Sequence, residues 1–472
     1  MLPTLARLGA LREIVRRPVG TEARELLAAN WSRLDRSLRT PRQMFGRQGN
    51  GCGATIGAMP RCDFACRGCY LNAEANRIPA EPVEAIQAQM RALRPVLGNA
   101  GNIQLTDGEV TLRPVEDVVE LLRYARSLGL IPMLMTHGDS FRRRPGLLEQ
   151  LVVEGGLEEV SIHVDTTQRG RLGQAYRNAT CERDLDPLRD EFAVMIRAAR
   201  RATGRPLKAA TTMTVTTENL DGVADVVAWV ARNADAVRMV SFQPIAQVGR
   251  TEAGLGGGVD VETLWARVGQ GLERVGSADA TALLQRSAVW FGHSACNRMV
   301  NGVVARHGGG LRYHPLRDDA DPTDVRVVDG FLQRFGGISF RLDGAAERLA
   351  RMLGVMLAAP RFVLGSLLPF ARHWLRRLGD GSAVRGLGRV LTRAADVQPL
   401  VLVSHHFMSR EQLATPTGRE RLAHCVFLVP VDGELVSMCE VNATGIRERY
   451  YAQLARRGRE SVSAPRVGAP AG

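Results

Sequence analysis

The sequence predicts an α/β protein built on a parallel sheet, either doubly wound or a partial (β/α) barrel, and two observations carry the prediction. Short apolar, β-branched runs recur between residues 51 and 250, and a helical stretch separates each from the next. No hairpin turn joins neighbouring runs, so the strands must pair in parallel through helical crossovers. The candidate strands are Ala54–Met59, Asn102–Leu105, Pro132–Thr136, Val160–Val164, Ala209–Thr216 and Val237–Phe242. Between them lie Pro82–Leu97, Val115–Leu128, Pro145–Val153, Asp186–Ala202 and Leu220–Arg232, with apolar residues at helical spacing. In either architecture ligands gather beyond the carboxyl ends of the strands, which makes each polar strand end a candidate site.

The flanks read differently. Residues 1–45 are Arg-rich helices, Thr21–Leu38 among them, and the barrel region is expected over 51–250. A Gly-rich stretch at Gly254–Gly258 marks a boundary, and 251–343 reads as an irregular linking region after one helix, Val261–Arg274. Residues 344–395 are apolar, Arg-studded helices, 400–450 form a smaller unit, and 456–472 read as a disordered tail.

Composition narrows the function. The 472 residues carry 62 Lys+Arg against 49 Asp+Glu, a formal charge of +13, yet Lys208 is the one lysine. That bias reads as coding preference, and the 24 aromatic residues are not interleaved with arginine, so no nucleic-acid partner is expected. Eight cysteines are too sparse for a disulfide scaffold. The N-terminal segment lacks the apolar core of a signal peptide. The longest apolar runs, Met352–Pro360 and Phe362–Ala371, are split by Arg361 and fall short of the about 18 residues a span requires. A cytoplasmic location is therefore expected, with association at the inner membrane surface as a further expectation.

The most informative segment is PRCDFACRGCYLN, which sets Cys62, Cys66 and Cys69 in a C-x3-C-x2-C array just after the first strand. Three thiolates on one short loop can converge on a metal centre. Zinc would want a fourth nearby ligand, and the first histidine of the chain is His137. Three ligands suit a 4Fe–4S cluster with one iron left open.

This array, at the end of the first strand of a β/α repeat, resembles the radical S-adenosylmethionine (SAM) superfamily. The resemblance implies a partial (β/α)6 TIM-type barrel with N-terminal helices and a C-terminal α+β extension. It also implies that the open iron binds SAM, whose reductive cleavage yields methionine and a 5′-deoxyadenosyl radical that abstracts hydrogen from an unactivated C–H bond. Thr106-Asp107-Gly108-Glu109-Val110 is similar to the family's G-G-E-P segment, so Gly108 and Glu109 are expected at the SAM amino group, with Asp107 and Val110 as departures. Thr136-His137-Gly138 resembles T-N-G, and Ser161, His163 and Asp165 share a strand face near the ribose, where His163 is also the candidate catalytic residue. Thr212, Thr214 and Thr216 share the next face, and Gln243 is a candidate for adenine or substrate. The aromatic residue usual before the third cysteine is replaced by Gly68, with Tyr70 following instead.

Cys425 and Cys439 bracket a hairpin pattern with its turn at Asp432-Gly433, and Cys296 in GHSACNRMVNG is a candidate third ligand of an auxiliary iron–sulfur cluster, whose fourth position is left to His293, His424, a substrate or nothing. The pair His405-His406, with Phe407 and Met408, is a candidate cap for the site. Cys52 reads as structural, and Cys181 fits no array. The D-G-E, H-V-D-T-T, S-F-Q-P and M-C-E-V-N segments are also similar to those of tetraether lipid synthases, over about 50–250 and 420–450. That likeness implies a lipid or other small apolar substrate. The superfamily implies a reducing electron donor of the flavodoxin or ferredoxin kind. Two alternatives stay open: a radical SAM maturase of a peptide or protein side chain, and a structural zinc protein that binds nucleic acid. Residues 345–378 read as an interfacial helix, making peripheral membrane contact, or a channel for long apolar substrates, and equally as a buried pair with a solvated Arg face.

Overall fold

A computed structural model describes residues 2–49 and 53–463. Six strands follow in chain order: β1 (Gly53–Met59), β2 (Asn102–Asp107), β3 (Ile131–Thr136), β4 (Glu159–His163), β5 (Lys208–Val215) and β6 (Val237–Pro244). Each pairs in parallel with the next. The crossover helices bury one stripe apiece. In Val83–Leu97 it is Ile86, Met90, Leu93 and Leu97, spaced by three or four residues. Stripes and strands form one large core, and the sheet curls into a partial TIM-type barrel.

The sheet does not stop at six strands. The β6 edge pairs in parallel with β9 (Gln398–His405), which pairs antiparallel with β7 (Asn297–His307), itself in a hairpin with β8 (Gly310–Pro315). On the opposite edge β10 (Phe427–Val431) lies parallel to β1 and turns back as β11 (Glu434–Ser437). Both open edges of the barrel are thus covered, which removes rows of unpaired backbone groups.

Several expectations need correction. The linking region 251–343 is ordered into helices Val261–Glu273, Ala280–Ser287 and Pro322–Phe335 and the β7–β8 hairpin, whose turn glycines disguised it as loop. Asp321 caps the last helix by accepting from Thr323 N and Asp324 N, with proline at its start. Residues 400–450 are no separate unit, because β9, β10 and β11 belong to the barrel sheet. Instead of a tail from Arg456, the helix Ile446–Ser463 continues through that point. Residues 464–472 and Cys52 lie outside the described residues.

Candidate active site

The loop after β1 is pinned from three strand ends. Beyond β2, Gly108 N donates to Met59 O (2.5 Å) and Glu109 N to Arg61 O (2.8 Å). Glycine is required there, since a Cβ at Gly108 would sit 2.0 Å from Arg61 O. Beyond β4, the carbonyls of Arg169 and Thr167 accept from Ala65 N (3.0 Å) and Arg67 N (2.9 Å). Beyond β6, Arg250 N donates to Leu71 O (2.7 Å), and Thr251 Oγ1 accepts from Cys69 N (3.2 Å). Every turn of the cysteine loop therefore leans on the barrel rim.

Cys62, Cys66 and Cys69 face one cavity of about 200 Å³. Burial pushes the Cys62 thiol up to about 12 and Cys66 higher still, and the neighbouring sulfurs add to both shifts. A group that binds all three as thiolates would have to supply the missing positive charge. The Arg250 side chain lies against the same sulfurs and interacts with all three.

The geometry separates a cluster from a single ion. Among the described residues, sets of three donors within 4.8 Å of one another are Cys62–Asp63–His137 and Asp321–Asp324–His373, and the cysteine trio is not such a set. Thiolates on one zinc would lie about 3.8 Å apart, from a Zn–S bond of about 2.3 Å. The trio is thus spread wider than one zinc requires, and three thiolates from one loop are the donor set of an iron–sulfur cube with one corner open. His137 is not a fourth ligand: its Nε2 hydrogen-bonds Asp63 Oδ1 (2.7 Å), its Nδ1 accepts from Asp139 N (3.1 Å), and its ring stacks on Phe64 at 3.8 Å.

The expected SAM-side residues gather around the same space. Glu109 is 1% exposed, and its carboxylate accepts from Thr136 Oγ1 (2.7 Å), His137 N (2.8 Å) and Thr111 N (3.2 Å). It is a fixed negative charge on the cavity wall, which also includes Gly108, Thr136, His163, Thr212, Thr214 and Gln243. His163 Nε2 pairs with Asp165 and lies 3.3 Å from Thr214 Oγ1. Three expected wall residues are not there. Ser161 Oγ lies against Thr212 Oγ1 (3.0 Å) and does not line the cavity. Asp165 sits behind His163, accepting from Thr214 N (2.7 Å) and Thr167 N (2.8 Å). Burial opposes its charge, but His163 and these donors outweigh burial and hold the carboxyl down to about 2. Thr216 turns away, where its backbone N–H donates to Asn219 Oδ1 (2.8 Å).

Two of the three departures from the family pattern, Gly68 and Asp107, have physical causes. A Cβ on Gly68 would meet Ile245 Cδ1 at 2.4 Å, so Ile245 fills the place an aromatic ring would take. Asp107 adopts a left-handed backbone (φ 86°) and pairs with Arg447 (2.8 Å) from the C-terminal helix. Tyr451 Oη donates to its carboxylate (3.2 Å), and Tyr70 Oη to its carbonyl (2.9 Å). The residue in place of glycine thus anchors that helix over the site.

The late cysteines come from distant segments. Cys296 precedes β7, Cys425 precedes β10, and Cys439 lies in the short helix Met438–Ala443, not on a strand. Burial raises all three thiols, Cys425 to about 11 and Cys439 to about 12, and Cys296 and Cys425 each add to the shift of Cys439. Arg421 Nε donates to Cys296 Sγ (3.4 Å). The trio spans the seam where the β9 end meets the β10 start, with Phe407 and Phe427 rings 6.0 Å apart. Cys439 also lines the main cavity; Cys296 and Cys425 do not. His424 is turned to accept from Asp35 N (3.2 Å), and His293 Nε2 lies 3.8 Å from Glu420. His405 and His406 are half-buried and lowered to about 4 by desolvation, while Phe407 and Met408 line one side of the cavity. Cys181 is exposed and far from either trio in sequence.

Arg250 and Arg447 were invisible to sequence reasoning. The signal for the first was a Gly-Arg-Thr triplet past the sixth strand. A Cβ at Gly249 would lie 2.3 Å from Tyr70 O, and the close approach is what delivers Arg250.

Residues 56–230 match the family model of the radical SAM superfamily. The 7,8-dihydro-6-hydroxymethylpterin dimethyltransferase of Methanocaldococcus jannaschii is 26% identical over 200 residues, which is 42% of this chain and 37% of that protein. The match thus spans little more than a third of the relative's length.

Proposed function

We propose a reaction for this chain from the premise that it is an enzyme of the radical SAM superfamily, whose domain it carries at residues 56–230. The superfamily implies a 4Fe–4S cluster and SAM, and sets aside the structural zinc reading. In our reading Cys62, Cys66 and Cys69 hold the cluster, and Glu109 receives the SAM ammonium. Thr136 and His137 N–H fix the Glu109 carboxylate before the ligand arrives. His163, oriented by Asp165, and Thr214 meet the ribose, and Gln243 the base. When bound, the cluster and SAM supply the 5′-deoxyadenosyl radical that abstracts hydrogen from the substrate.

The substrate we propose is a lipid or another apolar molecule attacked at an unactivated C–H bond. The observation that carries this reading is the far wall of the cavity, where Val248, Phe407, Met408, Phe427 and Met438 give no partner for a charged or strongly polar group. We also propose an auxiliary iron–sulfur cluster on Cys296, Cys425 and Cys439, supported by their convergence and by Arg421 beside them. A reducing partner protein would deliver electrons.

The test is product analysis. Anaerobically reconstituted protein, given unlabelled SAM and a deuterated lipid extract, is expected to form 5′-deoxyadenosine that has gained deuterium from the lipid. Deuterium gained only from an added deuterated peptide would favour the maturase reading instead.

A further inference from the structure

We infer that the helical arm between β8 and β9 is a docking surface for an anionic lipid membrane, a property separate from the cavity chemistry. The arm comprises Ala345–Ala358, the bent continuation Pro360–Leu378 and Ala383–Leu391. Ala345–Ala358 has two unlike faces. Ala350, Gly354 and Val355 are buried, and Gly354 packs so closely on the N-terminal helix Leu2–Arg16 that a Cβ would lie 2.7 Å from Val15 O. The opposite face carries Leu349, Met352, Leu353, Met356 and Leu357, a full apolar stripe at helical spacing, each 46–66% exposed. An apolar stripe normally marks the core side of a helix, and here it points outward.

The stripe does not end with that helix. Leu364 and Leu368 are exposed 66% and 56%, and Val384 and Leu391 of the last helix 83% and 75%. That last helix is held by its small residue, since a Cβ on Gly386 would meet Leu375 O at 1.9 Å. Exposed large apolar side chains recurring along three successive helices, the last two packed on each other, exceed what scattered surface residues require.

The charges name the occupant. Residues 345–395 hold nine arginines against Glu347 and Asp380. Arg351, Arg377 and Arg389 are spent in ion pairs with Asp343, Asp321 and Asp380. Arg361, Arg372, Arg376, Arg385 and Arg393 are exposed and make no ion pair among the described residues. Leucine and methionine beside unpaired arginine is the pattern of a helix lying in a membrane interface, with apolar groups at the acyl boundary and guanidinium groups among anionic headgroups. A second copy of the chain is a poor occupant, because a two-fold contact would set this cationic surface against itself. The bend of 91° between Ala345–Ala358 and Pro360–Leu378 lays the arm along a surface, and no single helix among the described residues is long and apolar enough to cross a bilayer.

The experiment is vesicle flotation of the full chain, with vesicles of phosphatidylcholine alone or mixed with phosphatidylglycerol. Wild type should float with the anionic vesicles and lose binding as salt rises. The double variant Met352→Glu/Met356→Glu, on the exposed stripe, should stay with the soluble fraction while melting as wild type does. The triple variant Arg361→Glu/Arg372→Glu/Arg376→Glu should bind anionic vesicles roughly a hundredfold more weakly. SAM cleavage by both variants should be unchanged, so failure here would leave the active-site reading intact. The inference is overturned if wild type does not float with anionic vesicles, if both variants float as wild type does, or if the stripe variant turns a dimer into a monomer in sedimentation.

Discussion

The two cysteine trios solve one problem by opposite routes. Cys62, Cys66 and Cys69 sit on eight consecutive residues, and the barrel rim merely holds their loop in place. Cys296, Cys425 and Cys439 are brought together only after the seam between β9 and β10 has formed. The first trio is local and so depends on loop geometry; the second is non-local and so depends on the completed fold. Each has one arginine against its sulfurs, Arg250 for the first and Arg421 for the second.

The sharpest way to break this comparison is to delete each trio. Cys62, Cys66 and Cys69 all changed to Ala should lose ~4 Fe per chain by iron analysis. Cys425→Ala or Cys439→Ala should lose a similar amount while SAM cleavage continues; unchanged iron would remove the auxiliary cluster. Gly108→Ala is expected to act on the first trio alone, because the added methyl would clash with Arg61 O at 2.0 Å and displace the loop. Its iron content should fall while the second cluster's spectroscopic signal persists.

A more graded effect is expected at the helix anchor. Arg447→Met strands the Asp107 carboxylate, 6% exposed, without its partner. The loss should be about 3–5 kcal/mol of stability in chemical denaturation, and Asp107→Asn in the same chain should recover part of it. Glu109→Gln keeps the fold but removes the charge, and should weaken SAM binding by about ten- to a hundredfold in calorimetry. The smallest effect is electrostatic. Arg250→Met should lower the reduction potential of the first cluster, and Arg421→Met that of the second, each on the order of tens of millivolts, because a cation favours the more negative reduced state.

The same contrast explains what could be read from sequence. The six barrel strands and their helices were legible because each announces itself within about ten residues, by β-branched runs and apolar stripes. The strand ends Thr136, His163 and Gln243 were picked out as polar strand ends with the help of the family resemblance, and all three line the cavity. The β7–β8 hairpin hid behind Gly308 and its neighbours, and β9 looked like part of a separate unit because its partner, β6, lies about 160 residues earlier. Asp165 and Thr216 were misplaced for a related reason. Alternation assigns a face, but past the strand end Asp165 turns to its own loop amides and Thr216 to Asn219. Arg447 could not be found from sequence, since nothing in the C-terminal helix signals a partner 340 residues away.

One measurement bears most directly on the central claim. Anaerobically reconstituted protein is reduced with dithionite, mixed with SAM and assayed for 5′-deoxyadenosine, alongside the variant lacking the three cysteine side chains at positions 62, 66 and 69. Formation of deoxyadenosine and methionine by wild type, and its absence in the variant, is the predicted result; equal cleavage by both would contradict the assignment of that loop as the cluster site.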